Sequence, residues 1–188
     1  MKHILVVYAS HYGATRRYAA CIAKALHARL AEARDAAPLL AGADVVVWGG
    51  GLYAGGVNGA KLLAKNAEKL RGKRLIFFTC GLADPEEPAD LPALQQTAQR
   101  ALPAALRENA AVFHLRGAMD YAALSPLHRL MMGMMKRMIE RKGDAQTGED
   151  RQFLDTYGKK VDFVDLSAAG PLAALLRAAA GDAAGEIR

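Results

Sequence analysis

The sequence predicts a layered α/β domain built on a parallel β-sheet. Two patterns lead there. Short apolar, β-branched runs recur along the chain, and amphipathic helical stretches separate them. Loops with glycine close three of these runs, where strands hand over to helices. Length and composition agree. The 188 residues are 52% hydrophobic and 23% charged, which suits one domain with its own core and excludes bulk disorder.

His3 to Tyr8, HILVVY, reads as a buried strand, because the polar, glycine-containing ASHYGAT follows at once. A helix begins near Thr15. Alanines, Leu26 and Leu30 form its inner face, and Arg16, Arg17, Lys24 and Arg29 much of its outer one. AEARDAAPLL offers at most a short edge strand near Ala33. DVVVWGG, Asp44 to Gly50, is the second clear strand, with Trp48 packed in the sheet. Ala60 to Leu70 reads as a helix stopped by Gly72. KRLIFFTCG is the third buried strand, and a polar loop leads from it to a helical stretch from about Ala93 to Leu106. AAVFHLRG, ending at Gly117, is the next strand. Such alternation implies parallel pairing and short right-handed crossovers, with four or five strands in residues 1–166.

After Gly117 the rhythm breaks. Leu127, Leu130, Met131, Met134, Met135 and Met138 share one helical face, with Arg129, Lys136, Arg137 and Glu140 opposite. This is an added amphipathic helix in an insert at about 120–148. A last helical pattern, about Asp150 to Leu166, closes the domain. The tail, 167–188, is rich in alanine and glycine. Pro171 to Ala180 suits one short helix, and the end, GDAAGEIR, reads as frayed.

The net charge of +6 comes from 25 basic and 19 acidic residues. It disfavours an acidic carrier surface and permits acidic ligands or anionic lipid. Aromatics are 6% and never interleave with basic residues, so nucleic acid is not an expected partner. Cys21 and Cys80 sit in apolar runs and read as buried thiols. No metal-ligand pattern is present. The first residues are too short a run for a signal peptide, and none approaches the ~18 residues of a membrane span. The expectation is a cytoplasmic protein, at most peripheral on the inner face of the cell membrane.

Ser10, His11, Tyr12, Gly13, Ala14 and Thr15 lie between the first strand and its helix. Free amides at a helix start cradle phosphate, Gly13 permits close approach, and Ser10 and Thr15 supply hydroxyls. The alternative is plain N-capping by Ser10 or Thr15. The chain has neither the lysine of a triphosphate loop nor a G-x-G-x-x-G run, so the phosphate would belong to a smaller ligand. Two more glycine-containing loops follow Trp48 and Thr79, at the strand ends where open parallel sheets bind ligands. A ring system fits between them, with Tyr53 either stacking on it or closing the sheet edge. His114 reads as a core histidine.

Ser10-x-x-Gly13-x-Thr15 resembles the phosphate loop of the flavodoxin family, Thr/Ser-x-x-Gly-x-Thr. That resemblance implies a flavodoxin-like three-layer sandwich with a doubly wound five-stranded parallel sheet. It implies FMN as cofactor. Ser10 to Thr15 would hold the phosphate, Gly51, Leu52, Tyr53 and Ala54 one side of the ring, and Gly81, Leu82 and Ala83 the other. Within the family, GAMDY, Gly117 to Tyr121, and the basic, methionine-rich insert resemble the menaquinone-dependent protoporphyrinogen oxidase branch. Gly49 to Gly51, an aromatic-poor insert and the tail depart from that branch.

The branch implies an oxidoreductase of heme biosynthesis that takes electrons from a porphyrinogen, or another flat acidic molecule, and passes them to a quinone. Substrate-side candidates are Asp84 and Glu86 in the third loop, and Met131, Met135, Lys136 and Arg137 in the insert. His128 to Lys142 carries five basic residues against one acidic. Its methionine face either packs onto the domain or forms an adaptable surface for substrate, lipid, a redox protein or a second subunit. Two other classes compete: a flavodoxin-type electron carrier, and a non-catalytic interaction protein whose FMN site has degenerated.

Overall fold

A computed structural model describes residues 2–53 and 55–181 of the chain. Its sheet is built from strands β1 (Ile4–Ala9), β2 (Arg29–Glu32) and β3 (Val45–Tyr53), a short β4 (Gly56–Val57), then β5 (Arg74–Gly81) and β6 (Ala110–Arg116). The main order is β2-β1-β3-β5-β6, all parallel. β4 folds back antiparallel on the end of β3, pairing Leu52 with Val57 and Tyr53 with Gly56. The chain runs outward from β1 to β2 and returns past β1 to β3. Strand order therefore reverses between β1 and β3, and the crevice at their carboxyl ends is the place where such sheets seat ligands. This is the five-stranded, doubly wound α/β sandwich the sequence predicts.

Alternation along the strands sorts side chains into two cores. Leu5, Val7, Val46, Trp48, Leu75 and Phe77 point to one face, where Leu63, Leu70, Ala98 and Leu106 cover them. Val6, Val45, Val47, Ile76 and Phe78 point to the other, against Tyr18, Ala19 and Ile22. Burial on both faces is why these strands read as unbroken apolar runs.

The helices depart from expectation where local breakers act. α1 (Ala14–Ala25) forms as read. The expected helix over 60–70 is two, α2 (Ala60–Lys65) and α3 (Ala67–Leu70), broken at buried Asn66, whose Nδ2 donates to Leu62 O at 2.8 Å. The stretch over 93–106 is likewise α4 (Leu91–Ala101) and α5 (Ala104–Arg107), parted by Pro103, which cannot continue a helix. The edge strand lies at 29–32, one turn earlier than Ala33, which starts a 3-10 turn.

The insert is larger than 120–148. It opens with β7 (Ala118–Asp120), which pairs antiparallel with β8 (Lys160–Asp162) in a separate two-stranded ribbon. Between them stand α6 (Pro126–Glu140) and α7 (Gly148–Thr156). Tyr121, Leu124 and Met132 form a small core of their own there, with Tyr12, Phe153 and Tyr157 packed on it. The expected helix over 150–166 therefore ends at Thr156, and the chain turns back as β8.

The helix that completes the second face is α8 (Gly170–Gly181), inside the segment read as a tail. Leu172 and Leu176 are fully buried beside α1. The domain thus extends well past 166. The stretch read as frayed, GDAAGEIR, lies outside the described residues from 182 on.

Candidate functional site

Three loops meet at the carboxyl ends of β1, β3 and β5. The first begins α1. Its N-cap is Gly13, in the left-handed region at φ 92°, and no side chain caps the helix. Ser10 Oγ instead accepts from Gly13 N at 3.0 Å, which tightens the loop. Neither Ser10 nor Thr15 acts as the N-cap, so the first-turn amides keep no side-chain acceptor and present the positive end of the helix to the crevice. Arg17, on the outer face of α1, is ion-paired with Asp162 at 2.6 Å.

The second loop is not a loop up to Tyr53. β3 continues through Gly49, Gly50 and Gly51 and turns back at the hairpin. The glycines make room. A Cβ on Gly50 would lie 2.3 Å from Val57 Cγ1 and 2.6 Å from Asn58 O. One on Gly51 would lie 3.1 Å from Thr15 Oγ1 and 3.2 Å from Asn58 Nδ2. Asn58 N also donates to Gly51 O at 2.8 Å. Thr15 and Asn58 thus face each other across a position where a side chain would crowd both. Ala54, an expected ring contact, lies outside the described residues.

The third loop follows β5. A Cβ on Gly81 would meet Leu52 at 2.7 Å, so the second and third loops touch there. Arg116, at the end of β6, fixes the loop's conformation. Its guanidinium reaches Asp84 at 3.1 Å and Leu82 O at 3.4 Å, and stacks on Phe163 at 4.0 Å. Asp84 also accepts from Glu86 N at 3.0 Å. Its carboxylate is thus engaged by Arg116 and by the loop's own backbone. Glu86 is exposed and lines no cavity.

Ser10, His11, Tyr12, Ala14, Thr15, Gly51, Leu52, Tyr53, Gly81 and Leu82 surround a cleft of about 40 Å³. Burial pushes the Cys80 thiol at its base up to about 12, so it stays neutral. Burial likewise raises Tyr12 and Tyr53, which keep their protons. The Tyr53 hydroxyl is buried and has no partner. A mobile or ligand-facing polar group is the ordinary explanation of such an orphan. These features fit a phosphate ester carrying a flat ring: uncapped amides, two hydroxyls, a Cβ-free wall and an unpaired phenol.

The insert borders the cleft, which Ala118 and Met119 help to line. His128, in the first turn of α6, is hydrogen-bonded through Nδ1 to the Tyr12 hydroxyl at 2.6 Å, and its ring lies 4.4 Å from that of Tyr53. Sequence reading missed His128 and Asn58. No local signal marks either, because both reach the cleft through non-local folding.

Beyond Tyr53 and Leu82 the crevice widens into an apolar cavity of about 380 Å³ between the third loop and the insert. Ala83, Leu94, Met119, Met132, Ile139 and Phe153 line it. Its charged rim is Lys142 with Asp150, joined at 2.8 and 2.9 Å. The hydrogen bond from Lys142 holds the Asp150 carboxyl below its ordinary range, with help from Thr147 N.

Of the expected insert residues, Met135 lines this cavity, while Met131, Lys136 and Arg137 do not. Lys136 pairs with Glu140 at 3.5 Å and lies over the Tyr157 ring at 4.9 Å. The methionine face does not pack onto the domain. Met132 and Ile139 are the buried positions of α6, Leu127, Leu130 and Met134 point outward at 59–64% exposure, and Met138, also exposed, borders the cavity. His114 bonds Thr79 Oγ1 at 2.7 Å, and burial lowers its pKa, as suits a neutral packing histidine. Among the described residues no group of three or more His, Cys, Asp or Glu forms a metal site.

A family described as Flavodoxin domain matches residues 5–146. No curated protein matches the chain. Among solved structures, oxidised Flavodoxin 2 from Bacillus cereus is similar at 23% identity and a TM-score of 0.45, over 61% of this chain and 84% of that one. A flavoprotein in complex with FMN from Lactobacillus acidophilus NCFM is similar at 14% identity and 0.43, over 62% and 93%. A Fusobacterium nucleatum flavodoxin bound to flavin mononucleotide is similar at 14% and 0.42, over 64% and 72%.

Proposed function

The chain belongs to the flavodoxin-domain family, and on that premise we propose that it is an FMN-binding flavoprotein that carries electrons between redox partners. The observation that carries this reading is the uncapped start of α1 at the point where strand order reverses, facing a wall that Gly51 keeps free of a side chain. Ser10, Thr15 and the amides from Ala14 onward would hold the phosphate. Leu52 and Tyr53 would line one side of the ring, and Gly81, Leu82 and Ala83 the other. The residues in place thus suit the group. FMN supplies one- and two-electron chemistry when bound, and the protein supplies position and electrostatics. The chain's own part is to exclude water with Leu52, Leu82 and Met119, and to keep Tyr12, Tyr53 and Cys80 neutral around the ring. Titrating the purified protein with FMN and following quenching of flavin fluorescence tests this. Saturable quenching is expected, and its absence at millimolar FMN refutes the reading.

A second reading is favoured by the apolar cavity beside the third loop. A cavity of that size falls in the range of small-molecule sites, ~300–1,000 Å³. It supports a dehydrogenase of the protoporphyrinogen-oxidase type, with a porphyrinogen or related flat molecule as donor and a quinone as acceptor. The outward apolar stripe of α6, bordered by Arg129, Arg137 and Arg141, suits a peripheral contact with the inner face of the cell membrane, where quinone resides. No helix among the described residues is long and apolar enough to cross a membrane. Incubating the FMN-loaded protein with protoporphyrinogen and a menaquinone analogue should raise porphyrin fluorescence above the protein-free rate. No rise leaves the electron-carrier reading in force.

A further inference from the structure

The residue that brings the insert onto the cleft is His128. It stands 116 positions beyond Tyr12 in the chain, yet bonds its hydroxyl at 2.6 Å. Its ring lies 4.4 Å from Tyr53 and 5.6 Å from His11. Rings from two separate loops thus converge on one imidazole from the insert. We infer that His128 is a latch: it holds α6 closed over the cleft, and a flavin ring entering there takes the place of the imidazole on Tyr53. The inference rests on the FMN reading above.

Three observations carry it. The first is space. The cleft lined by His11, Tyr12 and Tyr53, the three rings that His128 meets, holds about 40 Å³, far below the size of a small-molecule pocket, ~300 Å³ or more. The second is pairing. The Tyr53 ring is in tilted contact with His128, at 41° between planes, while the Tyr53 hydroxyl is buried with no partner. The third is freedom to move. α6 buries only Met132 and Ile139, and both border the 380 Å³ cavity, so the small core of Tyr121, Leu124 and Met132 packs only part of its inner side. Its near end is held by local polar contacts, Ser125 Oγ accepting from His128 N at 3.3 Å and Arg129 Nη2 donating to Ala122 O at 2.8 Å. Elements anchored this way open at low free energy.

A ligand that must displace a latch binds with an affinity reduced by the open fraction. The latch is one hydrogen bond and one stacked ring pair, worth roughly a three- to thirtyfold factor. The test is stopped-flow quenching of FMN fluorescence by wild type, His128→Ala and His128→Gln. His128→Ala should bind FMN three- to thirtyfold more tightly, with the gain in the association rate. His128→Gln keeps an acceptor for Tyr12 but loses the ring, so it should fall between, and it carries the test should the alanine variant misfold. Equal or weaker binding by the variants, or a faster dissociation rate, overturns the latch and makes His128 a wall of the site. No FMN binding by any of the three overturns the FMN reading as well.

Discussion

Replacing Gly49 with alanine tests whether the three consecutive glycines of β3 are space requirements. Gly49 pairs with Tyr8 on one side and Phe78 on the other. A Cβ there would stand 2.1, 2.4 and 2.7 Å from Cζ, Cε1 and Cε2 of the Phe78 ring. Phe78 is fully buried in the core that α1 and α8 cover. The ring has no solvent side to move toward, so strand or ring must shift. Overpacking of this kind costs about 1–3 kcal/mol. For a domain of this length, each kcal/mol lowers Tm by about 2–4 °C, so the variant should melt about 2–12 °C below wild type by circular dichroism. Phe78→Leu removes the offending ring atoms. In that background the added Cβ should cost less than in wild type, a coupling visible in a double-mutant cycle. An unchanged Tm in Gly49→Ala, or an equal drop in both backgrounds, refutes the steric argument. It would also return the glycines to a looser role, as a weakened grip on a ring.

Leu176→Ala should destabilise the protein by about 2–5 kcal/mol in urea unfolding, because the side chain is fully buried against the sheet; a neutral result would mean α8 is not part of the core. Arg116→Ala should cost about 1–3 kcal/mol and weaken FMN binding, since it releases Leu82 O, Asp84 and Phe163 together. Unchanged FMN affinity would show that the third loop keeps its shape unaided. Asp150→Asn should lower stability near pH 7 and matter less in acid. The folded carboxyl titrates below its ordinary 3.8, so its contribution is full above that value and fades as pH falls through the folded one. Unfolding curves at about pH 7 and pH 3 read the sign, and a gap that stays constant would refute the pair's role.

What the sequence displays, and what it hides, follows from how far each structural cause lies along the chain. HILVVY, DVVVW and LIFF announce themselves because parallel strands buried on both faces need apolar residues without a break. The turn chemistry of Gly13 is equally local. The continuation of β3 to Tyr53 is not. Glycines are poor strand formers, and here their place is set by Phe78, Val57 and Thr15, which come from other elements. The stripe on α6 was legible as a stripe, but periodicity does not say which side meets the core. Met132 and Ile139 hold that side, and the methionine-rich face points outward. α8 was legible as a short helix over 171–180, but not as part of the core, because Leu172 and Leu176 find their partners only in α1 and the sheet. Of the site, the three loops could be read from their glycines, whereas His128, Asn58 and the occupied state of Asp84 depend on pairings across the fold.

The insert and the cradle are mechanically one unit, and the reason lies in α1. The added segment leaves and rejoins the domain side by side, through the pairing of Ala118 with Asp162. Gly117 is the junction: its N donates to Gly81 O at 2.6 Å, and its O accepts from Phe163 N at 2.9 Å. An insertion closed by such a ribbon leaves the register of the main sheet intact. Both of its ends are then tied to the helix whose first turn forms the candidate phosphate site. The Tyr18 hydroxyl donates to Arg116 O at 2.8 Å, just before the insert, and accepts from Asp165 N at 3.0 Å, just after it. One residue earlier, at the surface, Arg17 is paired with Asp162. Tyr18 is fully buried, so this clamp is not free to slacken with solvent exchange. A ligand that draws on the amides at the start of α1 therefore acts on the same rigid element that fixes the roots of α6. The releasable part is the start of α6, where His128 meets Tyr12 and Tyr53. Rigid roots and a releasable tip are what a lid over a binding cleft requires, and this chain places them on either side of the same ring cluster.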